Sequence, residues 1–180
     1  MQPTTVPTVY LPGLSLRHIE LSDASDWYEY LARPSVVEHT SWNLSGLEDL
    51  TSLIAKYRST DKASAIRFAL QENSTGRLVG TAGFHSISVI NRSAEIAYDI
   101  HPSLCGKGVA TICCKALVDW ALSVEGLIRI QATVMDTNSA SIRVLEKSGF
   151  QLEGKLKRYR IVRNEPRDYW MYSATQEKSA

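Results

Sequence analysis

Hydrophobic and polar positions change period several times along the chain, and each change marks an expected element. Residues 14–21, LSLRHIEL, alternate as a half-buried strand does. Ser22 or Asp23 stands where a helix cap belongs ahead of ASDWYEYLA. Pro34, with no N–H to donate and a ring that crowds the preceding turn, should end that helix. A second helix is expected over 47–57, and the connection SVVEHTSWNLSG between the two, polar with one tryptophan, is where binding loops often sit. From Ile66 the period becomes two: IRFALQE, the turn NSTG and RLVGTAGFHSIS read as a hairpin, and SAEIAYDIHP as a further strand.

The period then lengthens again. Val109, Ile112, Cys113, Ala116, Leu117, Trp120 and Val124 recur at three and four, which gives a helix with one apolar face. RIQATVM alternates, and DTNSASIRVLEKSGF reads as a short capped helix closed by Gly149. LEGKLKRYRIVRNEPRDYWMYSA reads as two strands about a turn at 164–166. The whole is an α/β chain of one domain over 1–180, with 1–13, which hold three of the six prolines, as an irregular arm and 176–180 as a tail.

Composition narrows the function classes. With 44% hydrophobic and 22% charged residues the chain has the makings of a globular core, and disordered or fibrous readings drop out. The net charge of +1 supplies no long-range field toward nucleic acid or a membrane surface, so no partner of either kind is expected. Cys105, Cys113 and Cys114 form no Cys-x-x-Cys pair, and neither an export signal nor a long apolar span is visible, which fits a reducing, cytoplasmic setting. His18, His39, His85 and His101 lack the paired spacing of zinc ligands, and no metal is expected.

The segment LCGKGVAT at 104–111 lies between a strand and a helix, where backbone N–H groups meet the positive end of a helix dipole. A nucleotide P-loop is excluded because Lys107 is followed by Gly108, not Ser or Thr, and His101 stands where the first glycine belongs. A dinucleotide fingerprint is excluded because Thr111 occupies the place of the third glycine. On the glycines alone, an anion loop and an ordinary tight turn remain open.

The wider order of AEIAYDI, CGKGVA, an amphipathic helix, a strand and NSASIRVLEKSGFQLEG resembles the GNAT acetyltransferase superfamily. The family loop Gln/Arg-x-x-Gly-x-Gly/Ala is matched by 105–110, with Cys105 in place of Gln or Arg. The tail LEGKLKRYRIVRNEPRDYWMYS resembles the RimJ/RimL branch, whose members acetylate the N-terminal amines of ribosomal proteins, while near relatives act on small amines, amino acids or antibiotics. The resemblance implies a GNAT fold: a mostly antiparallel mixed sheet of about seven strands with flanking helices. It also implies acetyl-CoA as cosubstrate and an amine acceptor, and the chain is expected as a monomer or homodimer.

Residue roles follow from the resemblance. N–H groups of Gly106, Lys107, Gly108, Val109 and Ala110 would hold the pyrophosphate, with Cys105 a cofactor contact at the head of the same loop, and the strand N–H groups at 97–100, ending in Ile100, would face the acetyl oxygen. Glu95 would be the base, Asn138 would hold the pantetheine arm, and Ser141 would protonate the leaving thiolate. Tyr98 and Tyr159 are alternative acids and, with Glu38 and Trp42, acceptor contacts. The ordinary readings are a strand glutamate, a helix-capping cluster and packing aromatics. A detoxifying acetyltransferase and a non-catalytic CoA-binding module are the rival functions.

Overall fold

Twelve regular elements alternate along the computed structural model, which describes residues 5–59 and 61–176. They are β1 (Leu14–His18), α1 (Ala24–Leu31), α2 (Pro34–Val37), α3 (Leu47–Tyr57), β2 (Ile66–Glu72), β3 (Leu78–Ser88), β4 (Ser93–Ile100), α4 (Val109–Ser123), β5 (Arg129–Met135), α5 (Ser139–Lys147), β6 (Gln151–Val162) and β7 (Glu165–Thr175). The strands form one sheet in the order β1-β2-β3-β4-β5-β7-β6. Every neighbouring pair is antiparallel except β4 and β5. The mixed seven-stranded sheet expected from the sequence is therefore present. The expected tail at 176–180 and the start of the arm lie mostly outside the described residues.

Helices cover both faces. On one, Trp27, Tyr30 and Leu31 of α1 and Leu50 and Ile54 of α3 pack on Ala69 and Leu78. On the other, Leu117 and Trp120 of α4 and Leu145 of α5 pack on Phe68, Phe84, Ile96 and Ile130. Cover on both sides explains why Ile66, Arg67, Phe68, Ala69 and Leu70 are all buried. Burial of side chains such as Trp27 and Phe68 contributes on the order of 1.5–3 kcal/mol each. The arm is irregular but attached: Val6 packs on the α4 core, and Trp120 Nε1 donates to Thr5 Oγ1 at 3.1 Å.

Three local expectations change. Neither Ser22 nor Asp23 caps α1, because the Asp23 carboxylate is taken by the Arg17 guanidinium, at 2.7 and 2.5 Å, and by the Glu20 N–H, at 2.8 Å. Pro34 does follow the end of α1, but it also begins α2, since its fixed φ suits a first helical turn. The last hairpin turns at Arg163 and Asn164, both with positive φ (49° and 63°), as a tight two-residue turn requires. Pro166 lies inside β7, beyond the Tyr169–Thr175 stretch that pairs with β5, where no ladder N–H is needed.

The feature that positions the site is a parting of the sheet. β4 and β5 pair only at Ser93↔Arg129, Ala94↔Ile130 and Glu95↔Gln131. Beyond Glu95, β4 continues to Ile100 against β3 alone, while β5 continues to Met135 against β7.

Candidate active site

Glu95 is the last residue of β4 to pair with β5, and it is only 4% exposed. Strand alternation sends it to the α1–α3 side, away from its neighbours Ala94 and Ile96, which join the α4 core. Its Oε1 accepts from Thr133 Oγ1 at 2.5 Å and Arg160 Nη2 at 3.3 Å, and its Oε2 from Gln131 Nε2 at 3.4 Å. His85, its partner across the β3–β4 ladder, brings Nε2 to 3.9 Å. Burial, supplemented by Arg67 and Arg160 and opposed by Glu95, holds the His85 imidazole below its ordinary pKa.

The loop after β4 opens the other side of the gap. Gly106 and Gly108 adopt φ of 76° and 78°, a region that side chains resist, and Gly108 precedes α4 without a capping side chain. The first bond into α4 runs from Ile112 N to Gly108 O at 3.0 Å. The N–H groups of Val109, Ala110 and Thr111 are thus without a chain partner among the described residues, at the positive end of the helix. They border a cavity of about 490 Å³ that is also lined by Ile100, Cys105, Gly106, Gly108, Asn138 and Ser141.

A second cavity of about 360 Å³ is lined by Trp42, Tyr57, Arg67, His85, Glu95, Thr133, Arg160 and Tyr169, among others. The two share His39, Thr40, Tyr98, Asn138 and Ser141 as walls, so they meet at the parting of the sheet. Asn138 caps α5 by accepting from Ser141 N at 3.0 Å, and its Nδ2 donates to His39 O at 3.2 Å. Tyr98, one strand phase from Glu95, faces α5, with its hydroxyl 2.9 Å from Ser141 Oγ. Burial pushes the Tyr98 phenol well above its ordinary pKa.

The charges in this region are paired. Arg67 and Asp99, both buried, join at 2.5 Å. Asp99 also accepts from Trp27 Nε1 at 3.0 Å, from Thr81 Oγ1 at 2.8 Å and from the Tyr30 hydroxyl. Among the cysteines only Cys105 is exposed; burial pushes the thiols of Cys113 and Cys114 up to about 12, which leaves them protonated and unreactive.

Most of the candidate residues named from the sequence converge on the two cavities, but three do not. Glu38 has an exposed side chain, because Arg163 draws its backbone carbonyl (Nη2 to O 2.7 Å) toward the β6–β7 hairpin. Tyr159 is exposed beside a bulge, and the next residue, Arg160, lines the second cavity instead. Lys107 is exposed and lines neither cavity. Arg160, Thr133, His85 and Tyr169 carry no motif of their own. The β3–β4 hairpin register was the one available signal, since it sets His85 opposite Glu95. No group of residues suited to holding a metal ion occurs among the described residues, and no described helix is long and apolar enough to cross a membrane.

A sheet parted between two parallel strands, with an open N–H cradle on one side of the gap and a buried carboxylate on the other, defines a class of α/β protein that brings a phosphate-bearing ligand up to a second reactant. Within that class the chain belongs to the GNAT acetyltransferase family: the family's acetyltransferase (GNAT) domain matches residues 14–151. It is an N-acetyltransferase, and enzymes of this family use acetyl-CoA. The N-acetyltransferase p20 of Bacillus licheniformis is 31% identical over 177 residues, covering 96% of this chain and 98% of that protein. The fold matches spermidine N-acetyltransferase from Vibrio cholerae, in complex with CoA and spermine, at a TM-score of 0.81 and 24% identity, over 93% of this chain and 98% of that one. It matches ribosomal-protein-S5-alanine acetyltransferase from Vibrio fischeri at 0.79 and 20% identity, over 92% and 94%.

Proposed function

We propose that the enzyme acetylates an α-amine, that of a protein N-terminus, in the manner of the RimJ/RimL branch and in the cytoplasm, by direct attack of the amine on acetyl-CoA. The observation that carries this reading is the position of Glu95, buried at the parting of the sheet and lining the cavity that meets the N–H cradle at Tyr98 and Ser141.

Acetyl-CoA supplies the activated acetyl thioester. The free N–H groups at the start of α4 fit its pyrophosphate, with Gly106 and Gly108 providing the backbone path and Cys105 in the same wall. Asn138 orients Ser141 and ties α5 to the 38–42 loop. Glu95 takes the proton from the amine nitrogen, directly or through water. Ser141 delivers a proton to the departing sulfur, and Tyr98, kept protonated by burial, backs it at 2.9 Å. The β4 backbone beyond Glu95, released from β5, provides N–H groups for the acetyl oxygen.

Two considerations favour an α-amine. Its pKa of about 7.7–8.0, against about 10.4 for lysine, makes the neutral form about 3.5 kcal/mol easier to reach, so one carboxylate suffices. The acceptor cavity also has little negative charge to offer a polyamine: Glu95 is the one carboxylate among its described lining residues, beside Arg67 and Arg160. The S5-alanine enzyme supports the protein N-terminus by its fold and its stated acceptor. Acetylation of N-terminal peptides, free amino acids, polyamines and aminoglycosides, read by mass spectrometry, tests the reading. Acetylation confined to polyamines or aminoglycosides overturns it in favour of a small-amine or detoxifying enzyme.

A further inference from the structure

The acceptor cavity holds two hydrogen-bond donors that the transfer step does not use. Arg160 packs against two rings that also touch each other, its guanidinium carbon 5.2 Å from the centroid of Tyr159 and 5.4 Å from that of Tyr169. Among the described residues it bonds through Nη2 alone, to Glu95 Oε1 at 3.3 Å and to Thr133 Oγ1 at 3.1 Å. A guanidinium carries five N–H donors, so Nε and Nη1 remain open, and the side chain is 33% exposed. The contact with Glu95 is single and long. Arg129 and Glu153 in the same sheet show what a saturated pair looks like, forked at 2.7 and 2.6 Å.

Tyr169 adds an independent observation. It lines the same cavity, is only 3% exposed, and its hydroxyl is buried without a partner among the described residues. Buried hydroxyls are almost always satisfied, so one left unpaired on a residue that lines a cavity calls for an explanation.

We propose that Arg160 and Tyr169 form a subsite for a carbonyl or carboxylate oxygen next to the acceptor amine, so that the enzyme recognises an α-amino carbonyl unit rather than an amine alone. A guanidinium has donors only, and the Tyr169 phenol, which burial holds protonated, is also able to donate. Their natural complement is an oxygen acceptor. In an α-amino carbonyl unit the nitrogen and oxygen are separated by three bonds, about 3 Å. Glu95 Oε1 stands 3.3 Å from Arg160 Nη2, and the open Nε and Nη1 belong to the same planar guanidinium, so one unit can present its amine to Glu95 and its oxygen to an open donor of Arg160. A polyamine has no such oxygen and would bring a further positive charge to Arg160. The inference rests on the reading of Glu95 as the group that receives the amine.

The test uses matched acceptors: alaninamide, serinamide and phenylalaninamide, each against the amine lacking the carbonyl group (ethylamine, ethanolamine and phenethylamine). The quantity read is the ratio of kcat/KM within a pair, corrected for the neutral fraction of each amine. The wild-type enzyme is expected to favour the carbonyl-bearing member of at least one pair by about tenfold or more, on the scale of a lost charged hydrogen bond. Arg160→Gln and Tyr169→Phe should each pull that ratio toward one. Removing Arg160 also disturbs Glu95, but that effect falls on both members of a pair and cancels. Tyr169→Phe keeps the ring, so it reports even where Arg160→Gln fails to fold. Free amino acids and tripeptides with the same first residue then separate a carboxylate from a chain carbonyl as the source of the oxygen. Turnover with ratios near one, or ratios that neither variant changes, overturns the subsite while leaving the role of Glu95 standing. Turnover of the best acceptor unaffected by Glu95→Gln overturns the reading of the base, and the subsite with it.

Discussion

The hydroxyls of Tyr98 and Ser141 lie 2.9 Å apart on the wall shared by the two cavities, one carried by β4 and the other by the first turn of α5. Asn138 fixes the Ser141 end and burial keeps the phenol protonated, so the pair can pass a proton toward a leaving sulfur at neutral pH. Ser141→Ala is expected to lower kcat by about 10²-fold, within the usual range for a lost general acid. Tyr98→Phe should lower it by about tenfold, because Ser141 remains. In neither variant should the KM for acetyl-CoA change more than a few-fold. Steady-state kinetics with thermal unfolding as a control decide this, and wild-type rates in Ser141→Ala would remove it from the mechanism.

Glu95→Gln keeps the size of the side chain and an oxygen for Thr133 to donate to, but removes the proposed base. A fall in kcat of about 10²-fold near neutral pH is expected, shrinking as the pH rises toward and past the pKa of the amine, where the acceptor is already neutral. A loss of equal size at every pH would mean that Glu95 positions the acceptor and does not take its proton.

His85 gives the fold a pH dependence whose sign can be worked out. Its folded-state pKa is lowered, first by burial and then by Arg67 and Arg160, with Glu95 opposing, so the folded chain binds the proton less readily than the unfolded one. Stability is then full above the unfolded pKa of about 6.5 and declines as pH falls from there through the lower folded value. Urea unfolding between about pH 7.5 and 5 should show this slope in the wild type and a shallower one in His85→Gln. Equal slopes would assign the effect to other groups.

Legibility in the sequence followed the range of the interactions. Elements set by local period were readable: α3 has the bounds 47–57 that its pattern implies, and the glycine loop lies between β4 and α4 as LCGKGVAT suggests. Local chemistry misled where a distant group competes for it, as Arg17 does for Asp23. The β6 bulge, where Leu156 to Arg160 faces only Tyr169 to Arg167, leaves no mark in the sequence, although it inserts two residues and so keeps the strand phase. Leu156, Arg160 and Tyr169 lie on one side of the sheet and Tyr159 on the other, so the candidate Tyr159 is one residue off the position that lines the cavity. Pairings such as Arg67 with Asp99 join residues 32 positions apart and leave no local trace.

Arg163 holds the 37–42 loop from outside the cavity. From the tip of the β6–β7 hairpin its guanidinium donates to the carbonyls of Val37 at 3.3 Å, Glu38 at 2.7 Å, Thr40 at 3.4 Å and Trp42 at 3.3 Å. That loop carries His39 and Trp42 into the acceptor cavity, while Trp42 also rests edge-on against Trp27 at 5.6 Å. The anchor at Trp27 would survive loss of the arginine, so the loop should loosen and not unfold. Alanine is a poor probe here because Arg163 has a φ of 49°, but asparagine tolerates that conformation and suits a two-residue hairpin turn. Arg163→Asn is therefore expected to keep its melting temperature within a few degrees, as befits an exposed side chain. The KM for the acceptor should rise about tenfold, with a much smaller change in the KM for acetyl-CoA, whose N–H cradle Arg163 does not touch. An unchanged acceptor KM would show that the anchor at Trp27 holds the loop by itself.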